Sequence, residues 1–323
     1  MSKPSLGVIF HPQFPLETFV DFARHAEALG FDELWLWEDS FLAGALTSAA
    51  LALAATQRLK VGIGIMPVTV RNPVFVAMEI TTLARLFPGR FLPGFGHGSA
   101  TWMKQMGAYP KSTLKAVEET VTAVRALLQG ESVTMHGDQV HLDNVKMHLT
   151  PPEVPPLFIG AIREKTLRLA GRVGDGTILT EMSSPAYVRF AREQIAAGMA
   201  EGSRPRNHVV VYSHAIISTD GSARQKVRHA LASRFVWGNP LLEPLGIAAE
   251  ALKLHQDYGV SGAAERIPEE WLDDLSMSGT PDQAAATFKR LAAAGADSIV
   301  LQPLEGDPDC LDDYGRYLLP LLE

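Results

Sequence analysis

The most regular hydrophobic pattern in the chain lies between Leu59 and Ser99, and the rest is read around it. Val61, Ile63 and Ile65 alternate with Gly62 and Gly64, which predicts a strand so sparsely furnished that something flat has room against its end. Asn72-Pro73 then opens a helix with Val76, Ile80, Leu83, Ala84 and Phe87 at helical spacing, and Pro88-Gly89 closes it. A second strand, Arg90 to Gly96, runs into His97, Gly98 and Ser99. A parallel β-α-β unit of this size is right-handed and brings both strand ends to one face. The loops Gly64-Ile65-Met66-Pro67 and Gly96-His97-Gly98 are therefore expected to be neighbours.

The same alternation continues along the chain. Leu6 to Phe10 predicts a first strand, and Phe19, Phe22, Ala23, Ala26 and Leu29 mark one face of a helix stopped by Gly30. Glu33 to Trp37 is a second strand, ending in Glu38-Asp39-Ser40. A helix over Ser112 to Leu128 precedes Ser132 to Asn144, whose two short alternating runs around Gly137-Asp138 predict an inserted β-hairpin. Further strands are expected at Leu157 to Ile159, Thr177 to Leu179, His208 to Ile217 and Ser298 to Leu301, with helices from Glu164, over Pro185 to Glu201, and from Thr280-Pro281 to Ala293. Between Ser222 and Glu270 the pattern is helical but broken by Pro240, Pro244 and Pro268, a helical rim near residues 235–278. Eight strands with helices between most of them, several as continuous apolar runs, place the chain in the α/β class as a (β/α)8 TIM barrel with insertions, one domain over residues 1–323. A doubly wound dinucleotide fold ranks second, because Gly94-Phe95-Gly96-His97-Gly98-Ser99 fails the last glycine of that fingerprint.

Composition narrows the partners. Lys plus Arg number 29 against 36 Asp plus Glu, a net charge of −7 with no basic run, which argues against a nucleic-acid surface. The single cysteine, Cys310, suits a reducing cytoplasm, and the apolar run after MSKPS is too short for a signal peptide. Ser40 to Gln57 carries no charge but is short and Ala-rich, so a buried or subunit-interface helix is expected there and no membrane span. His136, His141 and His148 lack a companion carboxylate pattern, so no metal is expected, and there is no Gly-x-Ser-x-Gly for nucleophilic hydrolysis.

In a barrel, chemistry collects at the carboxyl ends of the strands. The polar residues there are His11, Glu38, Asp39, Ser40, His97, Ser99, Thr180 and Glu181. His97 fits a proton donor or a donor to ligand oxygens, and equally a histidine that packs in the barrel mouth. Asp39 fits an acid or base tuned by burial, or a cap for the helix after it. His11 reads first as structural, Trp35 and Trp37 as core, and Trp102 as a loop residue lining a substrate cavity. Pro156 to Arg163 is a strand ending in small residues with an arginine at the next helix start, and Gly174-Asp175-Gly176 lies before the following strand. Together they suit a phosphate cradle, and separately an ordinary tight turn with a surface arginine.

ALGFDELWLWED, GIMPVTVRNP, LFPGRFLPGFGHG, PLFIGAIREKTLRLAGRVGDGTIL and GTPDQAAATFKRLAAAGADSIVLQP, in this order, resemble the luciferase-like monooxygenase superfamily along nearly the whole chain. Arg71-Asn72-Pro73, Phe87-Pro88-Gly89-Arg90 and the layout between Trp237 and Gly279 are most similar to its branch using the deazaflavin coenzyme F420, which includes methylenetetrahydromethanopterin reductase. The resemblance implies a non-prolyl cis peptide at Gly64-Ile65 behind a flavin-like ring, and a cofactor side-chain site at Gly160, Ala161, Ile162, Arg163, Gly174, Asp175, Gly176 and Thr180. It implies Asp39 at the acidic or histidine position under the ring, and His97 where a cationic residue often meets phosphate. Ser40 and Ser99 stand where several deazaflavin dehydrogenases have histidine and glutamate, and Val8-Ile9 supply no carboxylate on the first strand. The expectation is coenzyme F420-dependent hydride transfer to or from a small organic substrate, with Asp39 and His97 handling protons and His11, Ser40, Trp102 and Trp237 shaping the pocket. The alternatives are an FMN-dependent monooxygenase fed by a separate flavin reductase, and a non-catalytic flavin-binding protein. A homodimer is expected from the resemblance, with the helix around Leu46 to Ala55 as a plausible contact.

Overall fold

The described residues form twelve strands, the longer ones rich in β-branched and aromatic residues: β1 (Ser5–Ile9), β2 (Glu33–Leu36), β3 (Lys60–Ile63), β4 (Met66–Pro67), β5 (Phe91–Leu92), β6 (Gly94–Gly96), β7 (Val133–His136), β8 (His141–Val145), β9 (Phe158–Gly160), β10 (Gly176–Leu179), β11 (His208–His214) and β12 (Ser298–Gln302). The computed structural model describes residues 3–237 and 239–322, without the side chain of Trp237. Ten strands make one parallel sheet in the order β4-β6-β9-β10-β11-β12-β1-β2-β3-β5. β3 and β4 are successive pieces of one run, interrupted at Gly64-Ile65, whose peptide bond is cis. β5 and β6 are pieces of another, interrupted at Pro93, which has no N–H to give a neighbour. Because β3 pairs with β5 and β4 with β6, the two ends of the strand order belong to adjacent runs and the sheet is curled.

Helices begin and end where the sequence places signals. Asn72 accepts a 2.9 Å hydrogen bond from Val74 N–H to start Pro73–Leu86, and Thr280 with Gln283 forms a capping box on Pro281–Ala294. Gly295 ends the latter in the left-handed region at φ 110°. β7 and β8 pair as an antiparallel hairpin, and helices Ala248–Arg266 and Glu269–Leu275 follow the short helical turn Pro240–Leu245. The strand expected to reach Ile217 ends at His214, because Met277 and Gly279 donate N–H groups to His214 and Ile216 carbonyls and draw that backbone away from the sheet. The uncharged segment forms the helix Ala45–Ala55, with Ala45, Leu46, Ala49, Ala52 and Leu53 buried. Among the described residues no helix is long and apolar enough to cross a membrane.

A separate apolar cluster lies inside the curled sheet: Ile9, Trp35, Leu92, Phe158, Ile178, Val210, Tyr212 and Val300. Trp35 is fully buried, edge-on to Phe158 and Tyr212 at 5.7 and 5.8 Å. A Cβ at Gly62 would run into the Trp35 ring, and one at Gly64 into the Tyr212 hydroxyl. The sparse third strand thus makes room for the aromatic rings inside the sheet, while its end at Gly64-Ile65 reaches the cavity described below. Below them Glu33 accepts from Trp35 Nε1 at 2.7 Å and from Ser298 Oγ at 2.9 Å, so this buried carboxylate is satisfied.

Candidate active site

The carboxyl ends of the strands surround a cavity of about 710 Å³. Trp37, Glu38 and Asp39 follow β2, Gly64-Ile65 lies between β3 and β4, and His97 follows β6 with Trp102 on the next short helix, Ala100–Gln105. Gly160, Ala161, Ile162 and Arg163 close β9, Thr180 and Glu181 follow β10, and Tyr212 comes from β11. The rim adds Arg234, Val236 and Leu241. The two loops expected to be neighbours are so: Met66 pairs with Phe95 and Pro67 with Gly96. Ile65 fits between Gly96 and Gly160, where added Cβ atoms would come within 2.7 and 2.8 Å of its side chain. Those two glycines therefore seat Ile65 at the cavity.

Three carboxylates line the cavity in different states. Glu38 is held by both Arg71 terminal nitrogens and accepts from Ala45 N–H at 3.2 Å, so it satisfies the start of the helix Ala45–Ala55. The capping role considered for Asp39 thus falls to its neighbour. Asp39 makes no side-chain hydrogen bond or ion pair among the described residues, and burial raises its carboxyl above the usual range, opposed by Arg234 and reinforced by Glu181. Burial also pushes Glu181 up, but Arg234, His214 and the Thr180 hydroxyl outweigh it and hold this carboxyl low. The Arg234–Glu181 ion pair measures 3.0 Å.

Two cavity residues carry a buried polar atom without a partner among the described residues, His97 Nε2 and Tyr212 Oη. Burial lowers the His97 imidazole, with no charge opposing it, so it is neutral at neutral pH and suits a hydrogen-bond donor better than a phosphate cation. Arg163 is exposed, pairs with no carboxylate among the described residues, and stands at the start of the helix Glu164–Val173, which no side chain caps. Main-chain amides and a free guanidinium at a helix start suit an anion.

Other expected residues lie elsewhere. Gly174 and Asp175 precede β10 and Gly176 is its first residue, so they are at the opposite end of the sheet, where Asp175 pairs with Arg125 at 2.8 Å and Arg204 at 3.1 Å and accepts from Leu157 N–H. Their assignment to the phosphate cradle is corrected on that ground. His11, expected to shape the pocket, is buried and does not line the cavity; its ring lies 5.2 Å from that of Trp37 and its Nδ1 accepts from Gln13 N–H at 3.3 Å. Ser40 does not line the cavity, because the chain turns outward there, with Phe41 at φ 75° and exposed. Trp37, expected in the core, is at the mouth. The expectation for Trp237 falls on a side chain outside the described residues. Among those residues no group of three or more His, Cys, Asp or Glu side chains is placed to hold a metal.

A model of the luciferase-like monooxygenase family matches residues 4–298. The chain belongs to that family. Among the relatives of this luciferase-like chain, the 5,10-methylenetetrahydromethanopterin reductase of Methanolobus tindarius is 30% identical over 92% of this chain and 93% of its own length. An F420-dependent glucose-6-phosphate dehydrogenase of Microbacterium testaceum is 26% identical over 96% and 94%. The coenzyme F420-dependent tetrahydromethanopterin reductase of Methanopyrus kandleri superposes with a TM-score of 0.85 over the whole of both chains at 21% identity, a likeness of fold.

Proposed function

We propose that this luciferase-like chain is an oxidoreductase using coenzyme F420, with FMN as the competing cofactor. The observation that carries the reading is one cavity that has an uncapped helix start with a free Arg163 and, on the same lining, the unpaired, partly buried acid Asp39. Counting β3 with β4 and β5 with β6 as single staves gives an eight-stave (β/α)8 barrel, with the hairpin and the rim as insertions. Such a cavity is within the ordinary size of a cofactor site, roughly 300–1,000 Å³. Gly160, Ala161, Ile162, Arg163 and Thr180 would hold the phosphate-bearing side chain, and Gly64-Ile65 would back the ring. Asp39 and His97 would meet its reacting edge, and the two unpartnered atoms at His97 and Tyr212 fit a polar heterocycle better than an apolar ligand.

When bound, the deazaflavin supplies a hydride or accepts one. The residues around it orient the substrate, exclude water and move one proton: Asp39 is raised toward the protonated form and serves as the acid, while neutral His97 donates a hydrogen bond. We place a copy-to-copy contact at the helix Ala45–Ala55, whose Leu51 remains 52% exposed.

Titration of the purified protein with each cofactor, read by absorbance and fluorescence, tests the assignment. Saturable F420 binding without oxygen consumption on adding reduced FMN and a flavin reductase supports it. Oxygen consumption with FMN and no F420 binding replaces it with the monooxygenase reading, and binding of either cofactor without turnover on any substrate replaces it with a carrier.

A further inference from the structure

Glu33, His208 and Ser298 are the first residues of β2, β11 and β12, so they lie at the end of the sheet opposite the cavity. Two residues on from each stand Trp35, Val210 and Val300, members of the inner apolar cluster, and the two-residue period of a strand turns the three polar side chains inward as well. β1 runs between β12 and β2, but its Gly7 leaves the inner face open: a Cβ there would come within 3.0 Å of Val300 and 3.2 Å of Trp35. Ser298 Oγ reaches across β1 to Glu33 Oε1 at 2.9 Å and lies 2.8 Å from His208 Nε2. Glu33 is 2% exposed and Ser298 is fully buried, whereas His208 is half-buried and alone of the three keeps a face to water.

A serine hydroxyl has one hydrogen to give, and here it has two neighbours that can accept it. With Glu33 ionised that hydrogen goes to the carboxylate, and His208 must present Nε2–H to the serine oxygen. With Glu33 protonated the order reverses: the carboxyl donates to Ser298, Ser298 donates to His208 Nε2, and the imidazole hydrogen sits on Nδ1. The heavy atoms keep their places, and the two arrangements differ by one proton.

We propose that Glu33, Ser298 and His208 form a proton wire with two settings, through which a carboxyl closed off from water exchanges its proton with solvent at His208. On acidification hydronium gives its proton to His208 Nδ1, the Nε2 proton passes to Ser298 Oγ, and the former serine proton ends on Glu33 Oε1. The histidine begins and ends neutral, with its tautomer reversed. Burial acts on both ends in the sense this needs, raising the Glu33 carboxyl and lowering the His208 imidazole, so the neutral pair is favoured over carboxylate and imidazolium. Around His208, Arg206, Lys60 and Arg192 oppose a positive charge and Asp297 attracts one. Around Glu33, the hydrogen bonds from Trp35 and Ser298 and the charge of Lys60 favour the carboxylate, and Asp32 opposes it. Trp35 donates to the second oxygen of Glu33 at 2.7 Å, and its ring is edge-on to Tyr212 of the cavity lining, so the switched charge lies one ring below the cavity.

The test follows the full chain from mildly alkaline to mildly acid pH with two probes, and does not depend on which cofactor the cavity takes. Nitrogen NMR of histidine-labelled protein reads the His208 tautomer, its signals assigned by their loss in His208→Gln. Infrared difference spectroscopy reads the Glu33 carboxyl, its band assigned by its loss in Glu33→Gln. One shared midpoint is expected, above the 4.5 of an unperturbed glutamate, at which the carboxyl band appears and His208 passes from Nε2–H to Nδ1–H with no imidazolium signal. In Ser298→Ala the link is cut, and the His208 tautomer should no longer follow Glu33. An imidazolium at His208 over an ionised Glu33 overturns the proposal, as does a carboxyl band that stays constant across the range. So does a folded Ser298→Ala protein whose tautomer still reverses at the Glu33 midpoint. Should Ser298→Ala fail to fold by circular dichroism, the two wild-type signals decide alone.

Discussion

The hydroxyl of Tyr212 occupies the space that a side chain at residue 64 would need. A β-carbon at Gly64 therefore grows into the barrel's aromatic interior. Gly64→Ala is expected to destabilise the fold by about 1–3 kcal/mol through overfilling. Tyr212→Phe removes a buried hydroxyl that has no partner among the described residues, so on its own it should leave stability unchanged or improve it slightly. In the double variant part of the Gly64→Ala cost should return, and a denaturation double-mutant cycle measures that coupling. Additive costs would mean that Tyr212 is not what residue 64 meets.

The same pair of residues shows what the sequence made legible. Alternation in Leu59 to Ile65 located the strand and its glycines, but the rings that need those glycines, Trp35 from the paired strand β2 and Tyr212 from β11 far along the chain, are brought there only by the fold. Asp39 and Arg163 were readable because strand ends and helix starts announce themselves locally. Gly174-Asp175-Gly176 is legible as a turn before a strand, and grouping it with Arg163 overlooks that in a parallel sheet the start of one strand lies opposite the end of its neighbour. Arg234 had no signal at all: it follows the helix Ser222–Ser233 and matters through its pair with Glu181 and its charge near Asp39. Tyr212 was hidden within the apolar run of β11.

Asp39→Asn should separate chemistry from stability. Burial raises this carboxyl above its unfolded value, so the folded state holds its proton more tightly than the unfolded chain does. Stability is therefore lost as pH rises from the unfolded value through the raised one, and above it the charged form carries the full penalty. The asparagine removes that penalty, so its thermal midpoint at neutral pH should equal or exceed wild type. Turnover in the reductive direction should fall by about 10²–10⁴-fold, the ordinary contribution of a positioned acid. The wild-type rate should also decline as pH rises through the raised Asp39 value, and the variant should lose that limb. A variant with wild-type turnover would remove Asp39 from the proton step.

Arg163→Gln should weaken F420 without changing the fold, because this exposed side chain has no ion-pair partner among the described residues. Loss of one charge-assisted contact to phosphate is worth about 1.5–3 kcal/mol, a weakening of roughly 10–100-fold. Added salt should weaken wild-type binding more than the variant's, since screening acts on the charge that the variant lacks. Fluorescence titration at two ionic strengths reads both effects, and an equal salt dependence would place the cofactor's anion elsewhere.

His214 gives the fold a defined acid limit. It is buried at the end of β11 with Nδ1 unpartnered among the described residues, and burial lowers it to about 4, against the attraction of Glu181. Below pH 6.5, the value expected unfolded, the unfolded chain takes up a proton that the folded chain refuses until about pH 4. Stability therefore falls as pH falls across that window, by roughly 3 kcal/mol at most from this group. His214→Gln keeps polar atoms at the site without the titration. Its unfolding free energy should fall less steeply between pH 6.5 and pH 4, the difference in slope corresponding to one proton. Parallel slopes for the two proteins would assign the acid sensitivity to other groups.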